Sequence, residues 1–219
     1  MKTLRLHGVR SVLVVAPHPD DEVIGAFGLM RLLRRRGARV RVIIVTDGAG
    51  SHPNSRTWPR ARLVAMRARE TRGALRGIGI GAGDVRFLAL PDGGLGAGGG
   101  AVRRVLARAL AQARGHDLLV MPARDDDHPD HRVVSSVAAA CPAIRRLEYL
   151  VWPNRQVRAR PATHGFALGT AGAAAKRGVI LRYRSQFGMI DDDPGGFTIS
   201  RRELAAFAHP VERYRETAR

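Results

Sequence analysis

Short apolar runs rich in β-branched residues alternate along this chain with longer segments of helical spacing. The apolar runs occupy residues 11–16, 40–46, 85–90, 117–121 and 147–152. The helical segments between them occupy residues 23–36, 60–76, 101–114 and 132–140. Strands joined by helices of this length form right-handed βαβ crossovers, which place the strands parallel in one sheet. We therefore predict an α/β fold, a Rossmann-like three-layer sandwich with a mostly parallel central sheet.

The length of 219 residues suits one domain with a sizeable core. The alternating pattern weakens beyond Pro153. We therefore predict a single domain over residues 1–219, with a core at about 10–153. The extension at about 154–219 is expected to contain one helix, at 169–182, and irregular packing.

Basic residues strongly outnumber acidic ones. The chain has 37 Lys and Arg against 19 Asp and Glu, a formal net charge of +18, which normally suggests nucleic acid or an anionic membrane as a partner. Only two of these residues are lysines, the arginines run from Arg5 to Arg219, and 5% aromatic residues offer few stacking surfaces. We expect no specific nucleic-acid partner. A protein that binds nucleic acid or an anionic surface without catalysis is kept as the alternative from a different class.

Cysteine content and hydropathy indicate the compartment. The single cysteine, Cys141, excludes a disulfide framework. No apolar run reaches the roughly 18–20 residues that a bilayer requires. The run before Pro17 is shorter than the roughly 7–15 residues of a secretory signal. The sequence thus predicts a cytoplasmic protein without a transmembrane segment and leaves a homo-oligomer open.

Two polar clusters follow the first and the fourth predicted strands, at residues 18–22 (HPDDE) and 125–131 (DDDHPDH). In the common strand order 3-2-1-4-5 these strands are neighbours, and ligands bind at their carboxyl ends. The turn after the first strand lacks the GxGxxG pattern, which argues against a dinucleotide cofactor. We therefore expect the clusters to meet in one cleft.

Such a cleft has the side chains of a catalytic zinc site, which uses three protein ligands and an open fourth position. His18 and Asp21 are three residues apart and can reach one ion, and His131 can complete the set from the facing loop. A zinc-bound water has a pKa near 7, and a neighbouring carboxylate can take its proton. Fe²⁺ accepts the same ligands, so the metal is Zn²⁺ or Fe²⁺. The groups left for proton transfer are Asp20, His128 and Asp130, although spacing alone does not separate the roles of Asp20 and Asp21.

At these motifs the sequence resembles the PIG-L/LmbE-like family of metal-dependent N-deacetylases. The similarity rests on PHPDDE at residues 17–22 and HPDH at 128–131. Weaker similarity extends over about residues 10–190, at 46–48 (TDG), 67–70 (RARE), 91–93 (PDG), 149–153 (YLVWP), Lys176 and 183–186 (YRSQ).

The resemblance implies a Rossmann-like fold and a zinc ion held by His18, Asp21 and His131. It makes Asp20 the general base that activates the metal-bound water. The same resemblance makes His128 the group that stabilises the tetrahedral oxyanion and protonates the leaving amine. The residue that orients His128 is then Asp130.

The resemblance also implies the substrate. Arg67 and Asp92 are expected to contact sugar hydroxyls, and the partner is a small-molecule N-acetylated sugar conjugate. The expected reaction removes an N-acetyl or similar N-acyl group from an amino-sugar-containing molecule. A metal hydrolase of another bond, such as a phosphoester, is the alternative within the fold, although two histidine ligands favour zinc over Mg²⁺.

The remaining acidic runs exceed what the motifs need. We interpret residues 125–127 as residues that contact the metal ligands from outside or as loop residues, and residues 191–193 as a solvated turn before Pro194.

Overall fold

The computed structural model describes residues 1–141, 145–152 and 161–217. In this part of the chain, eight strands form one mixed sheet with the order β1-β7-β8-β6-β5-β2-β3-β4. The strands are β1 Lys2–Thr3, β2 Ser11–Ala16, β3 Arg39–Thr46, β4 Val85–Leu90, β5 Leu118–Pro122, β6 Arg145–Tyr149, β7 His164–Ala167 and β8 Val211–Thr217. All neighbours pair in parallel except β8, which runs antiparallel to both β6 and β7.

Helices cover both faces of the sheet. They are α1 Asp21–Arg35, α2 Arg60–Arg76, α3 Gly99–Leu110, α4 Pro129–Ala140, α5 Gly169–Ile180 and α6 Arg201–Phe207. Alternate side chains of β2 and β3 enter two apolar cores, because successive residues of a strand point to opposite faces. One core packs against α1, the end of α2, α5 and α6, and the other against α3 and α4. None of the described helices is long and apolar enough to cross a membrane.

The predicted fold class is confirmed. The five predicted strands correspond to β2 to β6, and their observed order β4-β3-β2-β5-β6 is the expected 3-2-1-4-5. β6 begins two residues earlier and ends three residues earlier than predicted. The predicted boundary at Pro153, between core and extension, lies outside the described residues.

The prediction that the extension packs irregularly outside the helix at 169–182 is wrong. β7 and β8 extend the sheet, and α6 packs on one of its faces. β8 carries charged residues at buried positions, so its sequence lacks the apolar alternation of a strand. Each charge is paired: Glu212 Oε1 lies 3.0 Å from Lys176 Nζ, and Arg215 contacts Glu148 at 3.4 Å.

α1 contains a break at Ala26, where the backbone leaves the helical region (φ −141°). The buried carboxylate of Glu212 accepts hydrogen bonds from the N–H groups of Gly28 (2.9 Å) and Leu29 (3.2 Å). It thereby caps the second half of α1 as a side chain caps a helix N-terminus. The C-terminal strands thus fix the helix that begins at the first polar cluster.

Candidate active site

The two polar clusters meet at the carboxyl ends of β2 and β5, which are paired in the sheet. α1 begins at Asp21, five residues after the end of β2 at Ala16, and α4 begins at Pro129. His128 precedes α4 as its N-cap, and its Nδ1 accepts a hydrogen bond from the Asp130 N–H (3.2 Å). This arrangement points the first turns of both helices at one cavity.

Three potential ligand atoms, from the segments that follow β2 and β5, form a nearly equilateral triangle. His18 Nδ1 lies 3.1 Å from Asp21 Oδ2 and 3.2 Å from His131 Nε2, and the latter two atoms are 3.2 Å apart. A tetrahedral zinc ion with bonds of about 2.0–2.1 Å separates its ligands by about 3.3–3.4 Å. The triangle therefore has the size of one face of a zinc coordination sphere.

The second nitrogen of each imidazole faces a carboxylate. His18 Nε2 lies 3.1 Å from Asp92 Oδ1 and 3.5 Å from Asp130 Oδ2, and His131 Nδ1 lies 3.2 Å from Asp126 Oδ2. These are ion-pair distances, although the nitrogens are not aligned for a hydrogen bond. Carboxylates there favour protons on the outer nitrogens, which directs the two inner lone pairs at each other and at Asp21. Three acceptors that converge in this way fit a divalent cation.

Other combinations of the side chains around the cavity also lie within coordinating distance of one another. His18, His128 and His131 form one such group, and His18, Asp92 and Asp130 form another. We favour the triangle with Asp21, because its three separations are equal and short and because Asp92 and Asp130 face the outer nitrogen of His18.

The adjacent carboxyls of Asp20 and Asp21 lie in opposite electrostatic environments. Burial raises the pKa of Asp20 to about 8, against the opposing charge of Arg67 and with support from Asp21 and Glu22. Burial also acts to raise the pKa of Asp21, but the charges and contacts of His131 and His18 outweigh it and lower that pKa. Asp21 is thus held as an anion, whereas Asp20 accepts a proton readily.

Asp20 also has an unusual backbone conformation. Its φ of 131° lies in the region that favours glycine. Its N–H donates to Glu22 Oε2 (3.0 Å), and its Oδ2 accepts from Arg67 Nη2 (3.1 Å). Arg67 also donates to the carbonyl of Pro19. These contacts hold the Asp20 carboxyl beside the triangle.

Both residues that were predicted to contact sugar hydroxyls make polar contacts within the protein. Arg67 is 2% exposed and donates to Asp20, to Pro19 and to the Gly48 carbonyl (3.4 Å). Asp92 accepts from the Gly50 N–H (2.9 Å) and contacts His18. Both still line the cavity.

Asp130, which was expected to orient His128, does so through its backbone. Its N–H donates to His128 Nδ1, whereas its carboxylate accepts from the N–H groups of Gly93 and Leu95 and faces His18.

The cavity over the triangle has a volume of about 220 Å³ and is lined by both polar and apolar residues. The polar residues are those described above. The apolar ones include an aromatic cluster, in which the Trp152 ring meets Phe197 and Phe207 edge to face at centroid distances of 6.0 and 5.0 Å. The apolar side chains are Ile24, Trp152, Phe197, Ile199 and Phe207.

The interpretation of residues 191–193 as a solvated turn is wrong for Asp193, and it did not include the hydrogen bonds of Asp192. Asp193 is buried and accepts from the Asn54 N–H (2.9 Å). Asp192 accepts from Ser55 Oγ (2.6 Å) and from the N–H groups of Arg56 and Thr57 (both 2.8 Å). These carboxylates fasten the loop at residues 52–58 to the C-terminal segment beside the cavity.

Of the two alternatives kept for residues 125–127, Asp126 fits the first, because its carboxylate faces His131. Sequence reasoning missed two other contributors to the site. Glu22 ends the PHPDDE motif, but nothing in its spacing indicates that it binds the Asp20 N–H. Gln186 lines the cavity from a weak late motif.

The sequence matches the profile of a known protein family. The profile of the family described as PIG-L, GlcNAc-PI de-N-acetylase, matches residues 13–141, more than half of the chain. The chain belongs to the PIG-L family. A search of curated protein sequences finds no match for this PIG-L chain.

Solved structures share the fold of this PIG-L protein. N,N'-diacetylchitobiose deacetylase from Pyrococcus horikoshii superposes with a TM-score of 0.74 at 21% identity, covering 96% of this chain and 84% of that one. The zinc-inhibited form of teicoplanin deacetylase gives 0.65 at 16% identity, covering 94% and 98%. The 4-carboxy-2-hydroxymuconate hydratase GalB from a Pseudomonas putida strain gives 0.63 at 14% identity, covering 96% and 97%. Because deacetylases and a hydratase share the fold, the reaction must be argued from the site.

Proposed function

We propose that this PIG-L protein is a metal-dependent hydrolase that removes an N-acetyl or similar N-acyl group from an amino-sugar-containing small molecule. The observation that carries the proposal is the triangle of His18, Asp21 and His131 with the Asp20 carboxyl beside it. Metal ligands next to a readily protonated carboxyl suit hydrolysis of an amide. Family membership and the deacetylases among the structural neighbours support the same reaction class.

His18, Asp21 and His131 would hold the cation. When bound, a divalent ion supplies Lewis acidity and lowers the pKa of its water to about 7. We propose Zn²⁺ from the two imidazoles and one carboxylate, with Fe²⁺ as the ion that accepts the same ligands. A structural neighbour is described as zinc-inhibited, so reconstitution should use one equivalent of either metal without excess.

Asp20 and His128 have different roles in the proposed reaction. Asp20 takes the proton of the nucleophilic water, since burial favours its protonated form. His128 accepts the Asp130 N–H at Nδ1, which leaves its proton on Nε2. Burial, with the charges of His18 and His131, lowers the pKa of His128 and keeps it a neutral donor. It then stabilises the developing oxyanion with its Nε2–H, and the proton that Asp20 took from the water passes to the departing nitrogen, giving a free amine and acetate.

The test combines metal analysis with product analysis. We expect one Zn²⁺ or Fe²⁺ per purified chain and release of acetate and amine from N-acetylglucosamine conjugates. His131→Ala should lose both the metal and the activity, whereas His7→Ala, at an exposed histidine, should lose neither. Wild-type protein that binds the metal but releases no acetate from any such conjugate would contradict the proposal.

The alternatives give different results in the same experiments. A phosphoesterase would release phosphate from phosphorylated substrates and leave the amide intact. A non-catalytic protein that binds nucleic acid through its +18 charge would show steeply salt-dependent binding, and His18→Ala would not affect it.

A further inference from the structure

The late motif made of Lys176 and residues 183–186 lies outside the matched family profile, and the reaction described above uses none of it. Its side chains nevertheless reach the site. The Tyr183 hydroxyl donates to Glu22, which in turn accepts the Asp20 N–H. Ser185 donates to Glu70 through both its N–H (2.9 Å) and its Oγ (2.6 Å). The motif is therefore a turn fastened at two points to the elements around the base.

Gln186 is the residue that this turn presents to the cavity. It is 1% exposed, and its backbone is fixed because its N–H donates to the Tyr183 carbonyl and its carbonyl accepts the Ile199 N–H (both 2.8 Å). Its side-chain amide is poorly satisfied. Nε2 makes one long contact with Ser185 Oγ (3.4 Å), and the amide oxygen has no hydrogen-bond partner in the described part of the chain, although it is not fully enclosed.

A buried primary amide needs partners on both its oxygen and its nitrogen. An unsatisfied amide group in a buried side chain is unfavourable, so a ligand that provides the missing partner is stabilised there. A hydroxyl group can donate to the amide oxygen and accept from the amide nitrogen. Two other residues of the cavity lining, Phe197 and Ile199, have apolar side chains and cannot provide such a group.

We propose that Gln186 binds a hydroxyl of a polyhydroxylated substrate and thereby determines which sugar conjugates the enzyme accepts. This inference rests on the proposed function and extends it to a substrate-contacting residue. The placement of Gln186 relative to the base is rigid, because α2 carries both Arg67, which binds Asp20, and Glu70, one turn later, which binds Ser185. A sugar held by Gln186 consequently has a fixed position relative to Asp20.

The first experiment compares Gln186→Met, which keeps the length but removes hydrogen bonding, with Arg184→Met, an exposed residue of the same turn. We expect kcat/KM for an N-acetylglucosamine conjugate to fall about 10- to 100-fold in Gln186→Met. The Arg184→Met control should stay within about twofold of the wild type. Gln186→Met with wild-type kcat/KM would overturn the proposal.

Deoxy analogues of the conjugate, each lacking one sugar hydroxyl, give the sharper readout. For one analogue, the wild type should lose about as much kcat/KM as it loses through Gln186→Met, and Gln186→Met itself should barely distinguish that analogue from the parent. This comparison is a ratio within one variant, so a partial loss of folded protein cancels. Equal discrimination by wild type and Gln186→Met for every analogue would overturn the proposal.

Calorimetric titration of the purified metal-bearing protein with glucosamine separates this inference from the proposed function, since glucosamine carries the hydroxyls but no acyl group. We expect Gln186→Met to weaken binding at least about tenfold. If the wild type binds glucosamine through Gln186 but releases no acetate from conjugates, the proposed function fails and the Gln186 assignment holds. If acetate is released and glucosamine binds equally to both proteins, the function holds and the assignment fails.

Discussion

At the scale of single residues, the neighbouring acids Asp20 and Asp21 show what a sequence does and does not contain. Their identity and spacing predict a metal site, because histidines and carboxylates at strand ends are ligands by chemistry. Their separate roles depend on what faces each of them. Asp21 faces two imidazoles from distant parts of the chain, and Asp20 faces Arg67. Those contacts arise only from the tertiary structure.

Replacing Asp20 with Asn should separate proton transfer from metal binding. The amide cannot take a proton from water, so we expect kcat to fall at least about 100-fold, with metal content unchanged because the three ligands stay in place. Steady-state kinetics and metal analysis check this. Asp127→Asn, at an exposed acid in the second cluster, is the matched control and should keep full activity. Near-normal turnover in Asp20→Asn would exclude it as the base.

At the scale of secondary-structure elements, the strands that bury apolar side chains were predicted most accurately from the sequence. β2 and β3 are rich in buried β-branched apolar residues, and both of their predicted ranges agree with the structure to within one residue. β8 was missed because Glu212 and Arg215 occupy buried positions and are stabilised by partners far away in the sequence. Its neighbour β7 has only four residues. Periodicity cannot report a strand whose buried face is charged.

The packing of α1 on β6 makes a prediction for Gly25. A Cβ at this position would lie 2.2 Å from the Tyr149 ring, which is fully buried and bonded through its hydroxyl to the Val15 carbonyl. We expect Gly25→Ala to destabilise the protein by about 1–3 kcal/mol and to lower its thermal midpoint by about 2–12 °C. Gly73→Ala is the control, because a Cβ on that face of α2 meets nothing within 4 Å.

The control should change stability in the opposite direction. Alanine in a helix restricts the unfolded chain, so Gly73→Ala should raise the thermal midpoint by roughly 1–4 °C. Calorimetric unfolding of both variants measures these thermal midpoints. Equal midpoints for Gly25→Ala and Gly73→Ala would contradict the close approach of α1 to Tyr149.

The loop at residues 52–58 should depend on the ionisation of Asp192. Hydrogen bonds from Ser55 and from the N–H of Thr57 lower the pKa of Asp192. Since its folded pKa is below the ordinary value of about 3.9, its contribution to the loop is complete above that pH and is lost as pH falls through the folded pKa. Amide-exchange protection at Arg56 and Thr57 should therefore persist at pH 5 and decline only below about pH 4.

The corresponding variant gives the same answer at neutral pH. Asp192→Ala should lose the protection of the Arg56 and Thr57 amides at pH 7, because both donate to the missing carboxylate. Asp191→Ala, at an exposed acid with no such contact, should retain it. Protection that survives in Asp192→Ala would mean that other contacts hold the loop.

At the scale of the whole molecule, metal binding should couple to stability. His18 and His131 turn lone pairs toward Asp21, and the surrounding carboxylates hold this arrangement. A ligand that binds only the folded state adds about 2.7 kcal/mol at a hundredfold excess over Kd. We expect chelation to abolish activity and to lower the thermal midpoint by roughly 5–11 °C, and one equivalent of metal to restore both.

The controls distinguish this site from adventitious binding. His131→Ala should show no shift on chelation, whereas His7→Ala should shift like the wild type. A shift that persists in His131→Ala would place the stabilising metal elsewhere in the molecule.

The turn at residues 183–186 and the strand β8 follow every residue of the triangle in the chain, yet one fastens Asp20 and the other caps the helix that starts at Asp21. During synthesis, the three side chains of the triangle therefore leave the ribosome before these segments do. A nascent chain at that stage carries His18, Asp21 and His131 without the parts that hold them in register.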